Sequence, residues 1–341
     1  MAMRPLDSVP RATLATLPTP LERGPRLDLD GRSGPQLWVK RDDLTGLGVG
    51  GNKARKLEFL CGDALQQGAD CLVTVGAGQS NHCRMTAAAG AVLGLETHLV
   101  LSGDRPHTLE GNQLLSHLFG AHMHFTGAAP HHWGPLEIAR EALTEELRAD
   151  GLHPHSIPIG GSTAVGAVGY VVAFAETMQQ CRQAGFMPAA IVFTSSSGGT
   201  HAGLVAGKVI ARALGEAVPD IVAIGVAKGV LLGMPDVAAL ATEVIALLHT
   251  GDDPVVLDGD VEIDDRWLGV DYAVPTDAAD EAIRWAASHG GWVLDRTYSG
   301  KGFSGLLGQV GDGRWTADEH VVFIHTGGLP AIFAADGVPP G

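Results

Sequence analysis

Two lysines three residues apart, just beyond a pair of glycines, are the groups in this sequence best suited to covalent chemistry. They stand in the run Gly50-Gly51-Asn52-Lys53-Ala54-Arg55-Lys56. At the opening of a helix, Lys53 and Lys56 share one face, and the glycines let the backbone come close to a flat ligand. One amine can form an imine with a carbonyl while the other pairs with a phosphate. The bland alternative is a solvated basic turn. Cations are disfavoured at a helix N-terminus, however, because the dipole there is already positive. Three basic residues in that turn imply an anion to neutralise.

Two further loops are built to receive anions. Ser195, Ser196, Ser197, Gly198, Gly199 and Thr200 follow an apolar run and precede a helical pattern. Hydroxyls and glycines aimed at a helix N-terminus make a phosphate cradle, and the missing lysine favours a monophosphate. Gln79, Ser80, Asn81 and His82 occupy the same position after the apolar run 71–75. There the N–H groups at the helix start suit a carboxylate, although Ser80 and Asn81 would serve equally as plain helix caps and His82 reads first as a packed histidine. Tyr298, one of three tyrosines, stands in a glycine-rich turn, and Thr326 lies just after the last apolar run. Both are weak signals alone, since an isolated tyrosine is ordinarily a packed aromatic with a satisfied hydroxyl.

Other chemistries find little support. Gly46, Gly48 and Gly51 match a dinucleotide fingerprint, but no strand leads directly into them. The cysteines at 61, 71, 83 and 181 have no C-x-x-C spacing and read as buried small hydrophobes. Fifteen histidines include no H-E-x-x-H pattern, so no metal is expected. A net charge of −15 repels a nucleic-acid backbone. No signal-peptide core and no run long and apolar enough to span a membrane is evident. The expectation is a soluble, cytoplasmic protein with a small-molecule substrate.

The elements that must position these loops alternate. Apolar strand patterns at 36–40, 71–75, 97–101, 155–159, 190–193, 221–226, 292–294 and 321–324 are separated by helical patterns at 81–93, 111–119, 165–181, 201–214, 238–248 and 277–288. The stretch 126–135 reads as an irregular connector. Such alternation predicts an α/β chain with open, mainly parallel twisted sheets flanked by helices. Ligands in such sheets collect where strands end and glycine-rich loops enter helices. At 341 residues, two lobes are expected.

Taken in order, the motifs at 17–21, 39–43, 50–58, 79–82, 200–203, 298–301 and 325–328 resemble the D-cysteine desulfhydrase and 1-aminocyclopropane-1-carboxylate (ACC) deaminase family. These are pyridoxal-phosphate enzymes of the tryptophan-synthase-β-like fold. The resemblance implies a large domain of residues 1–53 plus 166–341, a small domain of residues 54–165, the cofactor in the cleft between them, and a homodimer. It implies that Lys53 carries the cofactor as a Schiff base and moves the Cα proton. Lys56 and the loop from Ser196 to Thr200 would hold the phosphate, Asn81 the ring 3′-oxygen, and Thr326 would face the ring nitrogen. Gln79, Ser80, Asn81 and His82 would receive the substrate carboxylate, with Tyr272 and Tyr298 on the substrate side and Ser80 or Tyr298 as a second acid–base.

In the deaminases of this family a glutamate stands at the position of Ser299 and a leucine at that of Thr326, so both differences favour the desulfhydrase side. The implied reaction is α,β-elimination of a small β-substituted amino acid, foremost D-cysteine. L-cysteate sulfo-lyase is the competing reading, with Lys228 as the cation its sulfonate would want. ACC deaminase comes next, and a non-catalytic pyridoxal-phosphate binding protein is the alternative of a different class. Gly78 stands where the family carries a larger apolar residue, which implies a wider pocket.

Overall fold

The computed structural model describes residues 8–29, 31–129, 133–227, 236–248, 253–334 and 337. Lys228 lies outside the described residues. Two sheets organise the chain. The first joins β1 (Leu21–Arg26), β2 (Gln36–Lys40), β7 (Ala190–Ser195), β8 (Asp220–Gly225), β9 (Glu262–Asp264) and β10 (His320–Ile324) in the order β1-β2-β10-β7-β8-β9. Only the β1–β2 pairing is antiparallel. The second joins β3 (Cys71–Gly76), β4 (Glu96–Leu101), β5 (His122–Phe125) and β6 (Pro154–Ile157) in the order β5-β4-β3-β6, all parallel. The central strands β3 and β7 are buried along their whole length. Their unbroken apolar runs are what two covered faces require.

Helices α1 (Lys53–Gln66), α2 (Asn81–Leu93), α3 (Gly111–Leu118) and α4 (Trp133–Ala149) flank the second sheet. Helices α5 (Ala164–Gln183), α6 (Gly199–Ala213) and α7 (Val237–Leu248) cover one face of the first sheet, and α8 (Asp277–Gly290) with α9 (Ser299–Gly311) covers the other. None of these helices is long and apolar enough to cross a membrane. The expected strand at 292–294 is absent: the segment is coil, and Trp292 and Leu294 are buried against the α8–α9 side of the sheet. Its apolar pattern reports burial rather than pairing. Helix α4 begins inside the stretch read as a connector, because two of its faces, through Leu136 and Leu147, reach the core while the rest is polar.

A buried ion network fixes the start of α1. Arg55 Nη2 and Nε donate to the two Asp42 oxygens at 2.8 and 2.9 Å, and Arg55 Nη1 donates to Glu176 Oε2 at 3.0 Å. Tyr170 donates its hydroxyl to Asp42 at 2.7 Å and Thr19 Oγ1 does so at 2.9 Å, while the Lys40 ammonium bonds Glu176 and Thr19 O. Burial alone would raise the Asp42 carboxyl, but the Arg55 guanidinium outweighs it and holds the group below the usual carboxylate range. The network ties β2, α1, α5 and the N-terminal segment at one point. Arg55→Ala leaves the Asp42 carboxylate uncompensated in the interior and should cost about 3–5 kcal/mol in urea denaturation. The double change Asp42→Asn with Arg55→Met should cost clearly less than the sum of its two single changes.

Candidate active site

A cleft of about 870 Å³, counted out to its mouth, lies where the strands of both sheets end. Lys53, the first residue of α1, lines it. Burial lowers the Lys53 amine to about 8, so a minor fraction of it, still far more than of an ordinary lysine, is an uncharged nucleophile near neutral pH. The backbone beside it is held by close approach. Asn52 N donates to Thr326 O at 3.0 Å, and a Cβ on Gly327 would lie 2.8 Å from Gly51 Cα. Both positions also have φ above +100° or at it, a region open to glycine.

The hydroxyl-rich loop after β7 forms the second wall. Ser196, Ser197, Gly198 and Thr200 line the cleft, and Gly198 has φ of +83° at the N-cap of α6. Gly199 does not line it. A Cβ there would lie 2.8 Å from Ser162 Oγ and 3.0 Å from the Lys56 Nζ, so only glycine lets the loop seat over that ammonium. Lys56 is also behind the wall, buried and bonded to Gly160 O. Burial first, and the Lys53 charge second, push its amine well below the ordinary lysine value. An anion in the loop would offset that burial.

The N-terminus of α2 forms the third wall. Ser80 caps the helix, its Oγ accepting from Cys83 N at 3.2 Å, and it lines the cleft with Asn81 and His82. His82 Nε2 pairs with Thr74 Oγ1 at 2.8 Å, and burial holds the ring neutral. Gln79 departs from its expected place. Its Oε1 accepts from Asn112 N at 2.9 Å and its Nε2 donates to Glu110 O at 3.1 Å, so the amide anchors α3 and does not line the cleft. Gly78 also departs from expectation. A Cβ there would face Gln113 Nε2 at 3.1 Å and Ser102 O at 3.4 Å, so the glycine relieves the α3 side and does not widen the cleft.

The last wall is aromatic. The hydroxyls of Tyr272 and Tyr298 meet, and Trp133 stands edge-on to Tyr272 with ring centroids 5.1 Å apart. Burial raises the Tyr272 phenol to about 12 and lifts Tyr298 well above its ordinary value, so both stay protonated. Ser299 turns away, donating to Asp295 Oδ1 at 2.6 Å and accepting from Asp295 N at 2.9 Å. Asp295 also accepts from the N–H groups of Thr297, Tyr298 and Ser299, which sets the entry into α9.

The sequence reading missed Trp133, Asn52 and Arg84. Trp133 was hidden in an apparent connector. Asn52, between Gly51 and Lys53, donates to Thr200 Oγ1 at 3.1 Å. Arg84, fully buried, ties Asn112 to Gly50 O at 3.0 Å each, and only its placement in an otherwise apolar helix face signalled it. The histidines at 98, 122 and 124 gather with Glu96 on the β4–β5 edge. Among the described residues no group of acids, histidines or cysteines is arranged to hold a metal.

Pyridoxal phosphate fits this donor set. The cleft offers one partly neutral lysine amine, a glycine-dependent oxyanion cradle backed by a second lysine, and a protonated hydroxyl wall. Ser195 Oγ and His82 Nδ1 are buried beside it without a protein partner, as groups awaiting a polar ligand would be.

Comparison with known proteins points the same way. Residues 12–327 match the family described as pyridoxal-phosphate dependent enzymes. The chain is 40% identical over 342 aligned residues to the D-cysteine desulfhydrase of Salmonella newport, covering 98% of each chain. A crystal structure of an ACC deaminase homologue superposes with a TM-score of 0.82 at 35% identity, covering 96% of this chain and 94% of that one. Threonine deaminase isoform 2 of Solanum lycopersicum, at 18% identity, TM-score 0.63, and coverage of 92% of this chain and 80% of that one, shares the fold.

The low Lys53 value has a measurable consequence. Only the neutral amine attacks an aldehyde, and its fraction rises as pH rises through about 8. The rate at which cofactor-free protein develops its visible absorption band with pyridoxal phosphate should climb through that pH and then level off. An exposed lysine would keep gaining toward its ordinary value of about 10.4. Lys53→Ala should bind without developing the band.

Proposed function

Because the chain belongs to the pyridoxal-phosphate dependent enzyme family, we propose that its cleft carries out α,β-elimination on a small β-substituted amino acid, D-cysteine foremost. The net reaction takes D-cysteine and water to pyruvate, hydrogen sulfide and ammonia. The observation that carries this reading is the convergence of the Lys53 amine, the α2 N-terminus and the Tyr272–Tyr298 hydroxyl pair on one cleft. A protein that only stored the cofactor would need the amine and the phosphate cradle, but not the other two.

Lys53 would hold the cofactor, with Lys56, Ser196, Ser197, Gly198, Gly199 and Thr200 at its phosphate, Asn81 at its 3′-oxygen and Thr326 at its ring nitrogen. Pyridoxal phosphate, when bound, supplies an electron sink for the bond broken at Cα. The substrate carboxylate would dock at the α2 N-terminus. There Ser80 Oγ already satisfies Cys83 N, which leaves the N–H groups of Asn81 and His82 without a partner inside the helix.

Lys53 is the group suited to take the Cα proton. The tyrosines stay protonated, and His82 is held neutral by burial with one nitrogen committed to Thr74. The Tyr272–Tyr298 pair would donate hydrogen bonds toward the departing sulfur as charge develops on it.

The aromatic wall favours sulfur over a sulfonate. Sulfur makes favourable contacts with aromatic ring edges, and among the described residues lining the cleft Lys53 is the one cation. Among the described residues a sulfonate would therefore lack a counter-charge, and Lys228 lies outside them. Ser299 stands where the deaminases carry a glutamate, and its hydroxyl is turned to Asp295, which disfavours ring-opening deamination. The resemblance also supports a cytoplasmic location and a homodimer, the latter to be checked by sedimentation.

The first experiment offers D-cysteine, L-cysteine, L-cysteate, β-chloro-D-alanine and ACC in parallel. Pyruvate with hydrogen sulfide from D-cysteine is expected. Turnover of L-cysteate alone, or 2-oxobutyrate from ACC, would overturn the assignment. Tyr298→Phe should lower kcat on D-cysteine by about a hundredfold, the low end of an acid–base contribution. Its effect on β-chloro-D-alanine, whose chloride leaves unaided, should be smaller.

A further inference from the structure

Lys301 is fully buried and does not line the cleft, so the mechanism above leaves it without a task. Its position is unfavourable on two counts. It is a cation in the first turn of α9, where the dipole repels it. Burial also strips its water and lowers the amine to about 8. A group kept under both penalties must do something an apolar residue cannot. Its Nζ donates to Leu268 O at 2.7 Å and to Asp271 O at 3.3 Å.

Those two carbonyls belong to the segment that delivers Tyr272. The segment from 265 to 276 carries no strand or helix, so no ladder holds it. Val270 and Val274 on either side of Tyr272 are exposed, whereas Tyr272 itself is only 6% exposed. Ala273 has φ of +60°, a conformation disfavoured for any residue with a Cβ, which persists only where the surroundings impose it. Tyr298, the partner of the Tyr272 hydroxyl, is the N-cap of the same helix that carries Lys301. One rigid turn thus holds Tyr298 directly and reaches Tyr272 through Lys301.

We propose that Lys301 is a positioning residue for the elimination, a tethered cation that clamps the 268 and 271 carbonyls and so sets where the Tyr272 hydroxyl meets Tyr298. The proposal rests on the lyase reading for its kinetic consequences but not for the clamp itself.

Four measurements test it. Hydrogen–deuterium exchange, on the chain with and without cofactor, should show residues 266–274 exchanging faster in Lys301→Met while α1 and the 195–200 loop are unchanged. On the holoenzyme, the visible absorption band should be retained while kcat falls about tenfold to a hundredfold, the scale of a misplaced catalytic group, with little change in KM. Lys301→Met combined with Tyr272→Phe should lose no more than Tyr272→Phe alone. Lys301→Ala should regain activity with methylammonium, which can donate to both carbonyls, and not with tetramethylammonium, which cannot.

Unchanged exchange, losses that multiply in the double variant, or no rescue by methylammonium would each overturn the clamp. Should Lys301→Met fail to fold, the methylammonium series on Lys301→Ala decides alone. A wild-type protein silent on every substrate would sink the lyase reading, while the exchange measurement would still judge the clamp.

Discussion

The pairing of Arg55 with Asp42 and Glu176 is the constraint on which the rest of the site depends. Arg55 is two residues beyond Lys53, so whatever fixes its guanidinium fixes the first turn of α1 and the origin of the reactive amine. Two carboxylates taken from water would be costly alone, as would the arginine. Together, with Tyr170, Thr19 and Lys40 filling the remaining hydrogen-bond positions, they form a satisfied network joining β2, α1 and α5. Its cost in desolvation is offset only in one geometry. That is a stiffer specification than apolar contacts could provide for a helix that must present a lysine to a cleft.

With α1 fixed, the cleft follows from strand direction. Parallel strands place their carboxyl ends on one side, and the helices that follow begin there. The N-termini of α1, α2, α6 and α9 all contribute to the same cavity. Each brings unsatisfied N–H groups and a positive dipole end. This explains how a chain of net charge −15 can prepare a site for a small dianion: the attraction is local and comes mostly from backbone, with two buried lysines added. Glycine is required where those backbones touch one another or a lysine, at Gly51 against Gly327 and at Gly199 over Lys56.

Burial then sorts the ionisable groups by role. The same loss of water that lowers Lys53 toward a usable base raises Tyr272 and Tyr298 into permanent donors and holds His82 neutral. No specific charge pair is needed to divide acid from base among them; depth does it. The aromatic wall of Trp133 and Tyr272 completes the enclosure on the side left free by the 195–200 loop and the start of α2.

The sequence alone determined the parts whose signals are local. Continuous apolar runs specify strands covered on both faces, and the hydroxyl or glycine turns after them specify anion sites, because both follow from backbone geometry within about ten residues. Lys53, Ser80, Asn81 and the 196–200 loop were legible for that reason, whereas Tyr298 and Thr326 were weak signals singled out by the family resemblance, and all line the cleft apart from Gly199. Tertiary structure alone decided what depends on distant neighbours. Gln79 is spent on α3, Gly78 relieves Gln113, Ser299 turns to Asp295, and the apolar run at 292–294 is buried without pairing. Trp133 reaches Tyr272 from another part of the chain. A side chain's type and spacing state which bonds it can make; only the fold brings the competing partners within reach and settles which of them it makes.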